Sequence, residues 1–310
     1  MPPHLARFAG CLLRGVGQVM LQGDARAGAL FVIAVGLHAP GLGLALVWGV
    51  LVGTLAGRFL GADDGQLHAG LYGFNGALVG VALGLFLQPG LVTIACIGLA
   101  AALSSVMMAA FTAVMRVWAL PALTAPFVLT SLGFLAATPG LRGLRPAPAS
   151  APEVVADAGI ATLPVLAEGL LTGIGQVFFQ PSMLSGGVML LGLLVASPRA
   201  AVAALAGSAS GLLVAAILGA GVADLRAGLY GFNSVLVAIV LAPAVAGMGR
   251  AGVVLTVLAA VAAPVVTAAV NALLAPLGLP GLTLPFVLVA WAFLAALRQL
   301  PGPRPAAPAA

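Results

Sequence analysis

The sequence alternates long apolar stretches with isolated charged residues. Five stretches contain no Asp, Glu, Lys or Arg: residues 27–57, 65–115, 169–198, 200–223 and 251–297. A helix needs about 20 consecutive apolar residues to cross the hydrocarbon core of a bilayer, so each stretch is long enough for one span and the longer ones for two. The pattern predicts an all-α polytopic membrane protein with about ten transmembrane helices and some shorter pieces that cross only half of the membrane.

The composition excludes a soluble protein. Hydrophobic residues make up 62% of the chain and charged residues only 6%, whereas an average soluble chain is about 25% charged. The mean hydropathy of +1.22 agrees. The net charge is +5, but the basic residues are all Arg and form no cluster, so the charge does not indicate nucleic-acid binding.

The reactive side chains show no pattern typical of an enzyme or a metal site. Cys11 and Cys96 lie in apolar surroundings and form no disulfide framework. The three histidines, His4, His38 and His68, lack the spacing of metal ligands. There is no Ser–His–Asp, HExxH, P-loop or paired-carboxylate pattern. We therefore predict a protein that is not an enzyme and that needs no cofactor or metal.

Three blocks of the sequence occur twice, in the same order. GVGQVMLQ at 15–22 returns as GIGQVFFQ at 173–180, and AGLYGFNGALV at 69–79 returns as AGLYGFNSVLV. LTAPFVL at 123–129 returns as LTLPFVL at 282–288. The offset is 158 residues for the first two pairs and 159 for the third, so the chain consists of two duplicated halves.

The composition also predicts the boundaries of the halves. Residues 1–141 and 159–300 are expected to be the two transmembrane repeats. The segment 142–158 is rich in Pro and Ala and carries charges of both signs, which is typical of a linker at the membrane surface. Residues 301–310 form a Pro/Ala-rich tail that cannot be helical.

Each half offers about 130 residues, enough for roughly five spans plus shorter pieces. An odd number of spans inverts the second half relative to the first, and inverted repeats are common in transporters and channels. Arg7, Arg14, Arg298 and Arg304 lie near the two ends, whereas the linker has no basic excess, so the positive-inside rule favours cytoplasmic termini. The Ala-rich, Lys-free composition suggests a bacterial protein, and hence the inner membrane.

The repeated blocks carry polar side chains inside apolar sequence, and such side chains must bond within the protein or line a wet path. Asn75 and Asn233 follow Gly-Phe in LYGFN, and an Asn close after Gly is typical of a turn or helix cap. A Thr two residues before Pro either satisfies a carbonyl that the Pro frees or lines a pore. A Gln in a short Gly-flanked run favours a helix end that lines a pore. These residues are Gln18, Asn75, Thr124, Gln176, Asn233 and Thr283.

GLYGFNGALVG with its second copy, GQVxFQ and LTxPFVL together resemble the urea transporter family of urea-selective channels. The resemblance covers about residues 10–300. It implies five transmembrane helices plus pore helices in each half, inverted halves, and a homotrimer with one pore in each protomer. It also implies a filter in which backbone carbonyls bind the NH2 groups of urea, aromatic rings cover its faces, and threonines mark the middle. Carried over by motif, the filter residues are Gln18, Val19, Leu21, Phe74, Leu78, Thr124, Gln176, Val177, Phe179, Phe232, Leu236 and Thr283.

The chain departs from the family pattern at two filter positions. The family has Phe where this chain has Leu21, so Phe74 is the only ring of the slot formed by Leu21, Phe74 and Leu78, which we call the first slot. The second slot, formed by Phe179, Phe232 and Leu236, keeps both rings. Some relatives carry Glu at the position of Gln176. This chain has Gln at both positions, 18 and 176, so its filter is neutral throughout.

Urea fits such a filter because it is planar, uncharged, and rich in N–H donors. Carbonyl and amide groups replace its water in the plane, while rings and aliphatic side chains cover its faces. An ion finds no compensating charge there, so its dehydration cost excludes it. The prediction is a passive urea channel. Two alternatives stay open: a channel for another small neutral solute such as a short amide, ammonia or water, and an ion-coupled secondary transporter.

Overall fold

The computed structural model describes residues 3–148 and 162–299. Within these ranges the secondary structure is helical, and one isolated antiparallel bridge pairs Leu87 with Pro146. The expectation of an all-α fold is confirmed for this part of the chain. The tail 301–310 and residues 149–158 of the predicted linker lie outside the described residues.

The first half begins with two helices separated by a break at the GVGQVMLQ block. A long helix, a five-residue helix and a 13-residue helix whose first ten residues are buried follow, and the half closes with one long and one shorter helix. The bounds are α1 (Pro3–Gln18), α2 (Ala25–His38), α3 (Pro40–Phe59), α4 (Asp64–His68), α5 (Phe74–Phe86), α6 (Leu91–Met115) and α7 (Ala125–Ala136).

The second half repeats the same order of elements. Its bounds are α8 (Leu163–Gly175), α9 (Met183–Ala196), α10 (Pro198–Ile217), α11 (Val222–Arg226), α12 (Phe232–Ala244), α13 (Gly249–Leu274) and α14 (Leu284–Gln299). Helices α3 and α10 both have 20 residues, α4 and α11 have 5, and α5 and α12 have 13. The duplicated sequence therefore folds into duplicated elements.

Four helices of the described chain are long and apolar enough to cross a membrane: α3, α6, α10 and α13. A fifth candidate is the pair α8 and α9, whose axes are bent by 74° across a short break. Helices α2, α5, α7, α12 and α14 are apolar but shorter. The protein is thus an all-helical polytopic membrane protein, and the predicted total of about ten spans stays a prediction.

The described residues group into two compact units. The first contains the residues before Val114 and those from Thr124 to the undescribed segment. The second contains Val114–Leu123 together with the second half. Within the second unit, the indole Nε1–H of Trp291 donates to the Pro121 carbonyl at 2.8 Å, which ties this short segment to α14.

The prolines of the third repeated block lie at helix starts. Pro126 and Pro285 are each the second residue of their helices, α7 and α14. A proline in the first turn removes an N–H that has no intrahelical partner in any case, so it frees no carbonyl. For Thr124 and Thr283 this removes one of the two interpretations of the sequence, in which the threonine satisfies a carbonyl that a proline inside a span frees.

Candidate functional site

The first repeated block forms a helix break in each unit. Helix α1 ends at Gln18, and the Gln18 carbonyl accepts from the Leu21 N–H at 2.9 Å. In the second unit a short 3-10 turn follows α8, and the Gln176 carbonyl accepts from the Phe179 N–H at 3.0 Å. Both breaks thus turn the chain sharply at the residue that the sequence places in a slot.

The two repeated glutamines make the same hydrogen bond. The Gln18 Nε2 donates to the Ala69 carbonyl at 3.0 Å, and the Gln176 Nε2 donates to the Ala227 carbonyl at 2.9 Å. Both side chains are half-buried. This bond orients each amide and uses one of its donors, while the side-chain oxygen keeps its capacity to accept an N–H.

The backbones of the first and second blocks pack directly on each other. A Cβ at Gly70 would lie 2.3 Å from the Gly15 nitrogen, and a Cβ at Gly228 would lie 2.3 Å from the Gly173 nitrogen. Gly70 and Gly228 also have φ of 83° and 74°, a region that glycine enters without a steric cost. Only glycine permits this approach, so both copies of AGLYGFN need it.

The ends of the five-residue helices α4 and α11 are held by a second side chain. The Arg14 Nη1 donates to the His68 carbonyl at 3.4 Å, and the Thr172 Oγ1 donates to the Arg226 carbonyl at 2.7 Å. Residues 14 and 172 are related by the repeat offset. Two successive carbonyls at the end of each short helix are therefore held by side chains of α1 in the first unit, and of α8 and the turn that follows it in the second.

The candidate aromatic residues Phe74 and Phe232 begin the next helices. Phe74 is the first residue of α5, and Leu78 follows one turn later on the same face. Phe232 and Leu236 have the same places in α12. Leu78 and Leu236 are completely buried, whereas Phe232 is half-buried. Each Phe–Leu pair thus starts immediately after the loop that packs on the glutamine-bearing break.

The third repeated block reaches the second through a buried asparagine. The Asn75 Oδ1 accepts from the Phe127 N–H at 3.0 Å, and the Asn233 Oδ1 accepts from the Phe286 N–H at 3.2 Å. Thr124 precedes Phe127 by three residues and is almost fully buried. All three blocks, which lie up to about 110 residues apart in sequence, therefore meet within each unit.

Left-handed backbone conformations concentrate at the same places. Five non-glycine residues of the described chain have positive φ: Leu21 (61°), Ala119 (48°), Leu123 (51°), Phe179 (59°) and Leu282 (49°). Four of them are candidate filter residues or directly precede a candidate threonine. Such conformations are costly for residues with a Cβ and cluster at functional sites, so this distribution favours a functional role for the breaks.

The candidate residues are neutral and differ in exposure. Val19 and Val177 are enclosed by protein, as are Thr124 and Thr283. The residues that keep some accessible surface include Gln18, Leu21, Gln176, Phe179 and Phe232. The twelve candidate side chains contain only amides, hydroxyls, aromatic rings and aliphatic groups, so the candidate set offers hydrogen bonds and flat apolar contacts but no charge.

The sequence interpretation missed a second pair of glutamines in the first block. The Gln22 Nε2 donates to the Met20 carbonyl at 3.1 Å, and the Gln180 Nε2 donates to the Phe178 carbonyl at 2.8 Å. Gln180 is completely buried, and its Oε1 has no protein partner. Gln22 and Gln180 are related by the repeat offset of 158 residues, so their repetition in the sequence was the signal that could have identified them.

An apolar groove of about 830 Å³ lies elsewhere in the first unit. It is bordered by α6, α7 and the segment that follows α7, with Cys96, Phe134 and Arg142 among its lining residues. None of the twelve candidate residues lines it. The groove is therefore a separate surface and does not belong to either slot.

Comparison with known proteins places the chain in a family. The family described as "Urea transporter" matches residues 9–298. The protein named "Urea transporter 1" from Ovis aries is 29% identical over 306 residues, covering 94% of this chain and 78% of the relative. The protein of that name from Mus musculus is 30% identical over 303 residues, with the same coverage. Because the match extends over nearly the whole chain, including all twelve candidate residues, the protein belongs to the urea transporter family, a family of transport proteins and not of enzymes.

Proposed function

We propose that the protein is a passive channel that conducts urea through the two slots of each protomer. The observation that carries this proposal is the meeting of the three duplicated blocks within each unit of a chain that belongs to the urea transporter family. The names of its relatives, "Urea transporter 1", support urea as the permeant.

The chemistry of the slots matches the needs of urea. A urea molecule that leaves water must replace the hydrogen bonds of its four N–H groups, and each unbonded polar group costs about 1–3 kcal/mol. The Gln18 and Gln176 side-chain oxygens, held in place through their amide nitrogens, are acceptors for these groups. Carbonyls of the helix breaks add to them, because an oxygen that accepts one bond has a second lone pair.

The flat faces of urea require contacts without hydrogen bonds. Phe179 and Phe232 supply two rings in the second slot, and Phe74 supplies one in the first. Aromatic rings and the enclosed Leu78 and Leu236 cover such faces at little desolvation cost. The slot walls therefore bind urea in its plane and along its faces with different groups.

The neutrality of the site favours passive flux. A proton-coupled or sodium-coupled carrier commonly uses an ionisable group inside the membrane. The twelve candidate residues include no Asp, Glu, His, Lys or Arg. Conduction also requires sites that release the solute readily, and uncharged hydrogen-bonding groups meet that condition.

The proposed architecture includes features that the family resemblance implies. Each half supplies five spans plus pore helices, and the second half is inverted relative to the first. Three protomers form a homotrimer in a bacterial inner membrane, with both termini in the cytoplasm. Cross-linking in native membranes and protease protection of the termini test these assignments.

The experiment that tests the function is solute flux into proteoliposomes. Urea permeability is measured beside acetamide, ammonia, water and a monovalent cation, with and without sodium and proton gradients. The proposal predicts saturable urea flux down its gradient, independent of both ion gradients, and no cation conductance. Accumulation of urea against its gradient would overturn the passive mechanism, and a preference for acetamide, ammonia or water would overturn urea as the main permeant.

A further inference from the structure

Two buried asparagines join the wall of each slot to the helix that follows its threonine. Asn75 is 1% exposed and Asn233 is fully buried. Each directly follows the slot phenylalanine, Phe74 or Phe232. Each side-chain oxygen accepts an N–H from the first turn of another helix, α7 or α14.

The asparagine oxygen takes the place of an N-cap side chain. The first four N–H groups of a helix have no intrahelical partner, and a side chain at the N-cap position commonly satisfies one of them. Thr124 is at that position in α7, since its carbonyl accepts from the Val128 N–H at 3.0 Å, but its side chain makes no cap bond. The oxygen of Asn75, 52 residues distant in sequence from Phe127, satisfies the N–H instead.

The asparagine bond also fixes a geometry. Phe74 and Asn75 are adjacent at the start of α5, and Thr124 lies three residues before the bonded Phe127. The bond therefore joins the starts of two helices that carry an aromatic wall and a candidate middle-site hydroxyl. The same relation holds in the second unit through Asn233 and Phe286.

We propose that Asn75 and Asn233 are positioning residues that set the spacing between the aromatic wall and the threonine of each slot. We call each asparagine, together with the groups that its side chain bonds, a clamp. The Asn233 clamp is the tighter of the two. This inference rests on the proposed function, because the spacing matters only if a solute passes the slot. It assigns a role in selectivity to residues that do not themselves contact the solute.

The two clamps differ in the partner of the amide nitrogen. The Asn233 Nδ2 donates to the Thr267 hydroxyl at 3.1 Å, whereas the Asn75 Nδ2 faces the Met108 sulfur at 3.7 Å. Residues 108 and 267 are related by the offset of 159, so this is one position with two different side chains. A thioether is a weak acceptor, and Asn75 is therefore held less firmly than Asn233.

Thr267 is itself fixed by the helix that carries it. Its hydroxyl donates to the Ala263 carbonyl at 2.8 Å, which directs a lone pair toward the asparagine. The second unit thus has a continuous chain of bonds from α13 through Asn233 to the first turn of α14. The weaker clamp and the missing ring at Leu21 both belong to the first slot, so we assign the stricter discrimination among ureas to the second.

The test changes the clamp without changing a slot residue. Thr267→Val removes the hydroxyl at nearly constant volume, and Met108→Thr gives the first unit the acceptor of the second. The matched control is Ser234→Ala. The Ser234 hydroxyl of α12 donates at 2.8 Å to the carbonyl of Ala260, a residue of α13 like Thr267, and both Ser234 and Thr267 are buried. The measurement is the ratio of urea to N-methylurea permeability in proteoliposomes, together with the half-saturation for urea and the melting temperature.

The inference predicts that Thr267→Val lowers the ratio by about two- to tenfold, the range that one lost hydrogen bond produces. Ser234→Ala is expected to lower the melting temperature similarly and to leave the ratio unchanged. Met108→Thr is expected to raise the ratio, which a merely structural role does not predict. A urea-conducting protein in which neither Thr267→Val nor Met108→Thr changes the ratio would overturn the inference alone. A wild-type protein without urea flux would overturn the proposed function and the inference with it.

Discussion

Leu21 and Phe179 have the same left-handed backbone conformation, with φ of 61° and 59°. They occupy matching positions of the two breaks, one turn beyond Gln18 and Gln176, whose carbonyls accept their N–H groups. The two units therefore differ at this point in the side chain and not in the backbone φ. A substitution at either position changes the side chain that the proposed slot presents and keeps the same backbone conformation.

Leu21→Phe is expected to add the second ring to the first slot. The gain from an aromatic contact is about 0.5–1.5 kcal/mol, so the half-saturation for urea should fall and N-methylurea should be excluded more strongly. Phe179→Leu should do the reverse in the second slot. Tighter binding does not ensure faster flux, since a more tightly bound urea molecule leaves the slot more slowly. The measurement is the permeability ratio of urea to N-methylurea, and an unchanged ratio in both variants would show that residues 21 and 179 do not contact the solute.

Gln18→Leu and Gln176→Leu are each expected to lower urea flux by roughly 5- to 30-fold, which corresponds to about 1–2 kcal/mol for lost polar contacts in the transition state. The substitution removes both the oxygen acceptor and the bond to the Ala69 or Ala227 carbonyl. Gln88→Leu is the control, because the Gln88 side chain is exposed and lies outside the repeated blocks. Flux is compared at equal protein incorporation. Wild-type flux in both slot variants would assign the glutamines to packing alone.

Gly28→Ala and Gly186→Ala are expected to disrupt the broken helix pairs α1–α2 and α8–α9. A Cβ would lie 1.8 Å from the Leu13 carbonyl oxygen in the first unit and 2.0 Å from the Leu171 oxygen in the second. Backbone atoms cannot move aside as a flexible side chain does, so the overpacking cost should reach about 1–3 kcal/mol or more.

The controls for this prediction are Gly36→Ala and Gly187→Ala, on the same helices. A Cβ at Gly36 or Gly187 meets no atom within 4 Å. Detergent-solubilised protein is compared by thermal unfolding and gel filtration. Equal melting temperatures for Gly186→Ala and its neighbour Gly187→Ala would contradict the close approach of α8 and α9.

Ala119→Gly is expected to stabilise the protein. Ala119 ends the 3-10 turn after α6 with φ of 48°, and the matching residue after α13 is Gly278 with φ of 65°. A Cβ costs about 1–2 kcal/mol in this conformation, and the greater chain entropy of unfolded Gly offsets about 0.5–1 kcal/mol of the gain. We expect a net gain of up to about 1 kcal/mol, a corresponding loss for Gly278→Ala, and unchanged urea flux in both. A lower melting temperature for Ala119→Gly would contradict this account.

The membrane class, the all-helical fold and the duplication follow from the sequence directly. The free energy of transfer into lipid depends on the residues of each segment itself, because it is favourable for apolar and unfavourable for charged side chains. A run such as 251–297 therefore identifies membrane helix without knowledge of its neighbours. The repeat offset likewise identified the blocks that meet in each unit, and the glycines around Gln18 and Gln176 indicated a helix end. The resemblance carried by these blocks named the family that the comparisons confirm.

The pairing of donors with acceptors could not be predicted in the same way. Gln18 donates to Ala69 across 51 residues, and Asn75 caps a helix that starts 50 residues later. A side chain with a free donor and acceptor is compatible with many partners, and only the packing of helices decides which of them comes within 3 Å. Left-handed φ at Leu21 has no signal in sequence either, because leucine avoids that conformation unless the surrounding structure imposes it. Local chemistry therefore indicated the candidate residues, while their orientation depends on contacts between segments that are distant along the chain.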